Sequence, residues 1–496
     1  MNNLAPSRAS VKLSFLAAAI LATFYLASSL YIAAHRLFWF DEIFTVGIAR
    51  LPHSATIWAA LGHAADSMPP VYYLIVRLFE KVFGQRELAA RLPSALAMAA
   101  GLLITFDCAR RLSDGLHGLI ALSVLTCSYL PYYGYEARSY AIYFMLAALS
   151  LWTWACTSND DLWPALAFGG ALFFAVTVHY YAVLLLVPYA LWELAHWKAG
   201  QRPSLKFIAG VAGIVLPVFL FLPVILPFAR QFSPGFWARP TFHQLQATLP
   251  ALFPDGLFLL VLIALWIVLL ARGKALAVSA MSAGEAVGWL FLAMPLAGFA
   301  LAEWKTNAFV DRYFIGALPG IAVAFSCLLW RNYRAQRMVA VGALLILATF
   351  GMARQISVAR HPEAIDSFLL QQERTRQFRD LEAMLHNEGK RYIVFPGDLV
   401  HLEAAYYSSH PEDCILLLGA DGARESNRTR MELNLAHYYP LQFWEMDDLS
   451  RHTSETALID PRPSALQALK EAGFAPLVRM STSTLEVVYV KSRNPR

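Results

Sequence analysis

Two acids, Asp41 and Glu42, stand side by side in FWFDEIFTVG, directly after the apolar run 13–34. Other ionisable or polar residues recur at the edges of later apolar runs: Glu136 and Arg138 in YYGYEARSYA, His179 in TVHYYA, Lys305 in AEWKT, and Asp311, Arg312 and Tyr313 in FVDRYF. A carboxylate beside an apolar wall has its pKa raised towards working pH and can take a proton from a hydroxyl. Arginine and lysine give charge-assisted hydrogen bonds that offset the negative charge growing on a phosphate leaving group. The pairing points to attack by an alcohol on a carbon activated by phosphate, with a lipid-linked donor at a membrane surface.

Each residue also has a plainer structural use. Asp41 suits a helix N-cap before IFTVGIAR, and Glu42 a first-turn acid that complements the helix dipole. Glu136 and Arg138 could pair across one turn. His179 could be a hydrogen-bonded core residue. Asp311 and Arg312 could anchor a helix end at the headgroups, and Lys305 could snorkel. Glu80 and Lys81 are expected on a solvated helix face.

The elements that must position these groups follow from composition. The 496 residues are 58% hydrophobic and 15% charged, against about 25% charged in soluble domains. Residues 1–353 hold 38 charged side chains with net charge +8, and residues 354–496 hold 37 with net charge −3. The chain therefore reads as a polytopic membrane domain, 1–353, and a soluble C-terminal domain, 354–496. Neither part carries a basic nucleic-acid footprint. Of the five cysteines only Cys414 lies in the tail, so that domain has no internal disulfide, and no Cys/His spacing marks a metal site.

Spanning helices need about 20 apolar residues. Eleven candidates meet or approach this: 12–34, 88–107, 115–133, 137–156, 164–178, 181–195, 206–228, 256–271, 286–302, 313–330 and 338–353. The first is too long for a typical signal-peptide core and is read as a retained helix. The segment 68–84 carries Arg77, Glu80 and Lys81 at helical spacing, so it is expected to lie in the interface within a first outer loop, 35–87, with Pro69-Pro70 in its first turn. With the N-terminus inside, ten basic residues fall in short inner loops and five in short outer loops, as the positive-inside rule requires. Eleven spans then place the tail and Asp41 on the same outer face. In the tail, RYIVF (391–395) and CILLL (414–418) read as buried strands, 464–474 as a helix and 477–490 as a hairpin. No phosphate-binding glycine loop is present, which makes the tail accessory.

Asp41-Glu42 after the first helix, PPVYYL (69–74), RELAARLPSALAMAAGLL (86–103), YEARSYA (135–141), HYYAVLLL (179–186) and DRY (311–313) occur in an order that resembles the polyprenyl-phosphate-dependent GT-C glycosyltransferases. The chain looks like the branch of glycosyltransferase family 39 that includes lipopolysaccharide glycosyltransferases, protein mannosyltransferases and aminoarabinose transferases. The resemblance covers about residues 12–353. It implies that Asp41 is the catalytic base that activates the acceptor hydroxyl, with Glu42 its acidic neighbour and Glu136 the acid of the second outer loop. It places Arg138 beside that acid, and Arg312 and Tyr313 near the lipid-phosphate pocket. Some relatives carry a phosphate-binding lysine before the proline pair. Met68 stands there in this chain, which leaves Arg138, Arg312 and Lys305 as the candidate cations, with His179 a further substrate-binding candidate.

The expected activity is inverting transfer of a sugar from a polyprenyl-phosphate carrier to a lipid, glycan or protein acceptor, by a multi-pass inner-membrane protein with its C-terminal domain outside the cytoplasm. No metal ligand set is visible, although a divalent cation is compatible with the chemistry. The alternative is a transporter or flippase of a lipid-linked sugar. Transporters usually hold their charges near the midplane on broken helices, often within internal repeats. Here the charges gather at one face and no repeat is found.

Overall fold

The computed structural model describes residues 8–158, 161–198, 202–259, 261, 281–333, 337–362, 368–420, 427–459, 461, 463–481 and 486–492. The chain divides into two compact units. The helical unit comprises Met1–Ala34, Met68–Pro223 and Phe236–Arg360, and the sheet unit comprises His35–Ser67, Val224–Gly235 and His361–Arg496. The loop 35–67 thus groups with the C-terminal segment rather than with the helices that flank it in sequence.

In the helical unit and its continuations, six helices among the described residues are long and apolar enough to cross a bilayer: Val11–His35, Glu87–Leu112, Leu205–Gly235, Ala283–Thr306, Asp311–Tyr333 and Arg337–Arg360. Shorter apolar helices run over Gly115–Thr126, Tyr140–Cys156 and Leu162–Val178. The expected span 181–195 opens as a 3-10 turn, Tyr180–Leu185, and continues as the helix Leu186–Lys198. Most of the expected span 256–271 lies outside the described residues. The chain is an integral membrane protein.

Packing in this unit relies on small residues, since between apolar helices in lipid it is close approach that stabilises association. At Gly101 a β-carbon would collide with the Phe144 ring. Glycine thereby lets Glu87–Leu112 lie close against Tyr140–Cys156, the helix that carries two rings of the site. Buried charges are matched locally. The Arg91 guanidinium donates to the Ala33 carbonyl at 2.8 Å, and Arg331 pairs with Glu285 at 2.6 Å. The Lys206 ammonium donates to the carbonyls of Thr153 and Thr157, each at 2.8 Å, and so caps the C-terminal end of Tyr140–Cys156.

Residues 70–83 form the expected helix, with Pro69 as cap and Pro70 in the first turn. Its faces differ from the expectation in one respect. Lys81 is exposed, but Glu80 is buried, while Leu78, Val82 and Phe83 are exposed. The helix turns its acid into the protein and an apolar stripe outward, an arrangement suited to lipid rather than water.

The sheet unit holds a six-stranded sheet in the order β3-β2-β1-β4-β6-β5. The strands are β1 (Tyr392–Phe395), β2 (Cys414–Leu417), β3 (Gln442–Trp444), β4 (Thr456–Ile459), β5 (Phe474–Ser481) and β6 (Glu486–Ser492). The first four are parallel, and β5 and β6 form the expected antiparallel pair, added at the β4 edge. The sequences CILL and TALI are buried at every position, as strands covered on both faces must be. Val394, Ile415, Leu417, Leu458 and Val488 form the core with Ala465 and Leu469 of the expected helix, found at Pro463–Glu471. Cys414 is fully buried, and burial pushes its thiol up to about 12.

Candidate active site

His179 sits in the break between Leu162–Val178 and the turn Tyr180–Leu185, at 1% exposure. Aromatic rings surround it. Tyr143 stacks on it at 5.0 Å, and Tyr140 and Tyr313 approach at 5.2 and 5.3 Å. Tyr313 packs in turn on Tyr181 at 4.6 Å. The Arg312 guanidinium lies over the Tyr140 ring at 5.8 Å. Burial, reinforced by the charges of Arg138 and Arg312, pushes His179 down to about 3. The imidazole is therefore neutral near pH 7, with one N–H to give and one nitrogen to accept. Neither ring nitrogen has a hydrogen-bond partner among the described residues, and nor does the Tyr143 hydroxyl.

The loop 134–139 brings in the second pair of charges. Glu136 and Arg138 are buried, and Tyr133, just before this loop, packs its ring on Tyr140 at 4.7 Å. Ser94 donates to the Arg138 carbonyl at 3.1 Å, and the Ser139 hydroxyl meets the Met68 sulfur at 3.8 Å. Met68, at the position of the lysine in some relatives, thus packs beside the loop that carries Arg138. Gly316 seats the cage from the other side, because a β-carbon there would collide with Tyr143.

The structure therefore brings His179, Tyr313 and the half-buried Arg312 together around Tyr140, while Glu136 and Arg138 are buried on the loop just before Tyr140. Lys305 is exposed on the turn Ala302–Thr306, whose Thr306 hydroxyl meets Tyr181 at 2.8 Å. Sequence reasoning missed the rings Tyr140, Tyr143 and Tyr181. Their signal was the density of tyrosine in YEARSYAIY and HYY, beside the charges already singled out. Guanidiniums, the N–H of a neutral imidazole and tyrosine hydroxyls are all groups able to donate hydrogen bonds to an oxyanion.

Asp41 and Glu42 belong to the sheet unit, on the helix Phe40–Ala49. Trp39 holds the cap position, so Asp41 lies in the first turn rather than at the cap, and it is half-buried. Glu42 is buried, and its carboxylate accepts from the Trp39 N–H at 3.3 Å. Its acid thus closes the start of this helix, whatever else it does. Among the described residues the grouping of His and carboxylates close enough to share a metal ion is His410, Glu412 and Asp413, none of which belongs to the sets above.

Residues 67–226 match the family profile described as dolichyl-phosphate-mannose-protein mannosyltransferase. This stretch includes Glu136, Arg138 and His179. No curated protein matches the chain. Two crystal structures of ArnT from Cupriavidus metallidurans are similar over nearly the whole length. The one bound to undecaprenyl phosphate has a TM-score of 0.60 at 12% identity, covering 97% of this chain and 98% of that chain. The apo form has a TM-score of 0.59 at 13% identity, covering 96% of each. The shared architecture is the GT-C fold, helical in the membrane with a small C-terminal sheet.

Proposed function

We propose that this protein is an inverting glycosyltransferase that takes a sugar from a polyprenyl-phosphate carrier and passes it to a hydroxyl of a lipid, glycan or protein acceptor at the outer face of the membrane. Arg138 and Arg312 hold the carrier phosphate, His179 and Tyr313 add hydrogen bonds to it, and Lys305 serves as a secondary cation. Asp41 accepts the proton of the acceptor hydroxyl. The acceptor oxygen then bonds to the anomeric carbon while the bond from that carbon to the phosphate oxygen breaks, and the phosphate leaves with the electron pair. Glu136 is the second acid, and Glu42 keeps the turn that carries Asp41 closed.

One observation carries this reading. A fully enclosed imidazole keeps both ring nitrogens without hydrogen-bond partners among the described residues, inside a tyrosine cage next to two guanidiniums. Buried polar atoms normally find partners, and the single N–H of the neutral imidazole suits an anionic ligand as its acceptor. The undecaprenyl phosphate bound in one ArnT structure supports a polyprenyl phosphate as that anion.

Binding of undecaprenyl phosphate to the purified protein tests this directly. Arg312→Ala and Arg138→Ala should each weaken binding about tenfold or more, since charge-assisted hydrogen bonds contribute roughly 1.5–3 kcal/mol. Uncharged undecaprenol should bind no better to the parent than to either variant. Equal affinity of parent and variants for the phosphate would remove the cage from donor binding.

A further inference from the structure

The N–H groups of three consecutive residues before Asp41 are all taken by side chains. Phe38 donates to the Tyr407 hydroxyl at 2.6 Å, Trp39 to Glu42 at 3.3 Å, and Phe40 to the Glu403 carboxylate at 3.2 Å. Only the middle one is local. The outer two come from the helix Asp398–Tyr407, the crossover between β1 and β2. The same helix reaches the other end of Phe40–Ala49, where the Arg50 guanidinium donates to the Tyr406 hydroxyl at 2.6 Å. Residues 403, 406 and 407 share one helical face by their spacing, and Glu403 and Tyr407 are buried.

Helix N-termini leave backbone N–H groups without intrahelical partners, and a carboxylate placed there both satisfies a donor and complements the dipole. Glu403 performs that service across 363 residues of sequence. The clamp is itself rigidly mounted. His401 of the same helix is fully buried and bonds Glu432 at 2.8 Å, and the strands on either side lie in the parallel core of the sheet.

We infer that Glu403 and Tyr407 are positioning residues for the transfer reaction: by holding the backbone immediately before Asp41 from both sides of Trp39, they fix where that carboxylate points. The C-terminal unit is then a mount for the base helix rather than an accessory. This rests on the reading of Asp41 as the base. A reacting group must be held within a fraction of an ångström, and a displacement of about 1 Å costs up to roughly 10²-fold in rate.

The test compares the full-length protein with Glu403→Ala, Glu403→Gln, Tyr407→Phe, Asp41→Asn and Leu458→Ala, the last a cavity in the sheet core remote in sequence from the clamp. Three quantities are read: the initial rate at which the missing envelope sugar reappears after induction in cells lacking the chromosomal copy, binding of undecaprenyl phosphate by the purified variants, and amide hydrogen exchange of the 36–44 segment. Glu403→Ala and Tyr407→Phe should lower the rate about tenfold, speed exchange at 36–44 and leave undecaprenyl phosphate binding within twofold. Glu403→Gln, which keeps an acceptor oxygen, should restore most of the rate. An undiminished rate in Glu403→Ala and Tyr407→Phe, with Asp41→Asn inactive, overturns the positioning role alone. An equal loss of rate in Leu458→Ala at temperatures where it remains folded reduces the clamp to general stability and also overturns it. A fully active Asp41→Asn overturns the role of Asp41, and the positioning role with it.

Discussion

His179 owes its neutrality to burial and to two guanidiniums, and this gives a signed pH dependence. A histidine whose folded pKa falls from 6.5 to about 3 binds fewer protons in the folded than in the unfolded chain between those values, so it removes stability as the pH falls through that window. The detergent-solubilised protein should therefore lose more melting temperature between pH 7 and pH 4.5 than a His179→Gln variant does. An identical loss in both would show that His179 titrates normally. The guanidiniums are not exchangeable for ammonium groups where planar forked hydrogen bonds to phosphate are needed, so Arg312→Lys should recover little of the binding lost in Arg312→Ala. At this scale the charged members of the cage were legible in sequence, because ionisable residues beside apolar spans stand out. Tyr140, Tyr143 and Tyr181 were not, because in a chain with 21 tyrosines only folding distinguishes a cage ring from a packing ring.

Elements carry the next set of consequences. The turn Asp311–Ala317 delivers Arg312 and Tyr313 to the cage, and Gly316 within it is seated against Tyr143. Gly316→Leu should overpack this contact at a cost of about 1–3 kcal/mol, lowering the melting temperature and weakening undecaprenyl phosphate binding together. A variant with parental stability and binding would separate this turn from the cage. The tail strands RYIVF and CILLL were readable from their unbroken apolar runs, and the terminal hairpin from its composition. The face of the helix Pro70–Phe83 was not. A pattern with exposed Leu78 and Val82 and a buried Glu80 inverts the rule for water-facing helices and makes sense against lipid.

At the scale of the whole molecule, composition separates an apolar from a charged portion, but the membership of the loop 35–67 was not legible. That assignment rests on hydrogen bonds between residues more than 350 positions apart, such as Arg50 to Tyr406 and Asn434 to the Ala64 carbonyl, which no local pattern encodes. The proposed outer location of the sheet unit has a simple check. Cys414 is buried with its thiol pushed up to about 12, so it should stay unlabelled in the native protein. A Gln467→Cys variant, at an exposed position, should react with an impermeant maleimide added outside the cell. Labelling of that variant only after permeabilisation would place the unit on the inner face.

The central claim, that Asp41 drives sugar transfer from a lipid carrier, is tested most directly by mass analysis of the envelope lipids and glycans of cells lacking this protein, complemented with either the parent or Asp41→Asn at matched expression. The account predicts one missing sugar, restored by the parent and restored at least about a hundredfold more slowly by Asp41→Asn, the scale of a lost general base. Restoration by Asp41→Asn at the parental rate, or envelopes that match whether or not the protein is present, would contradict it.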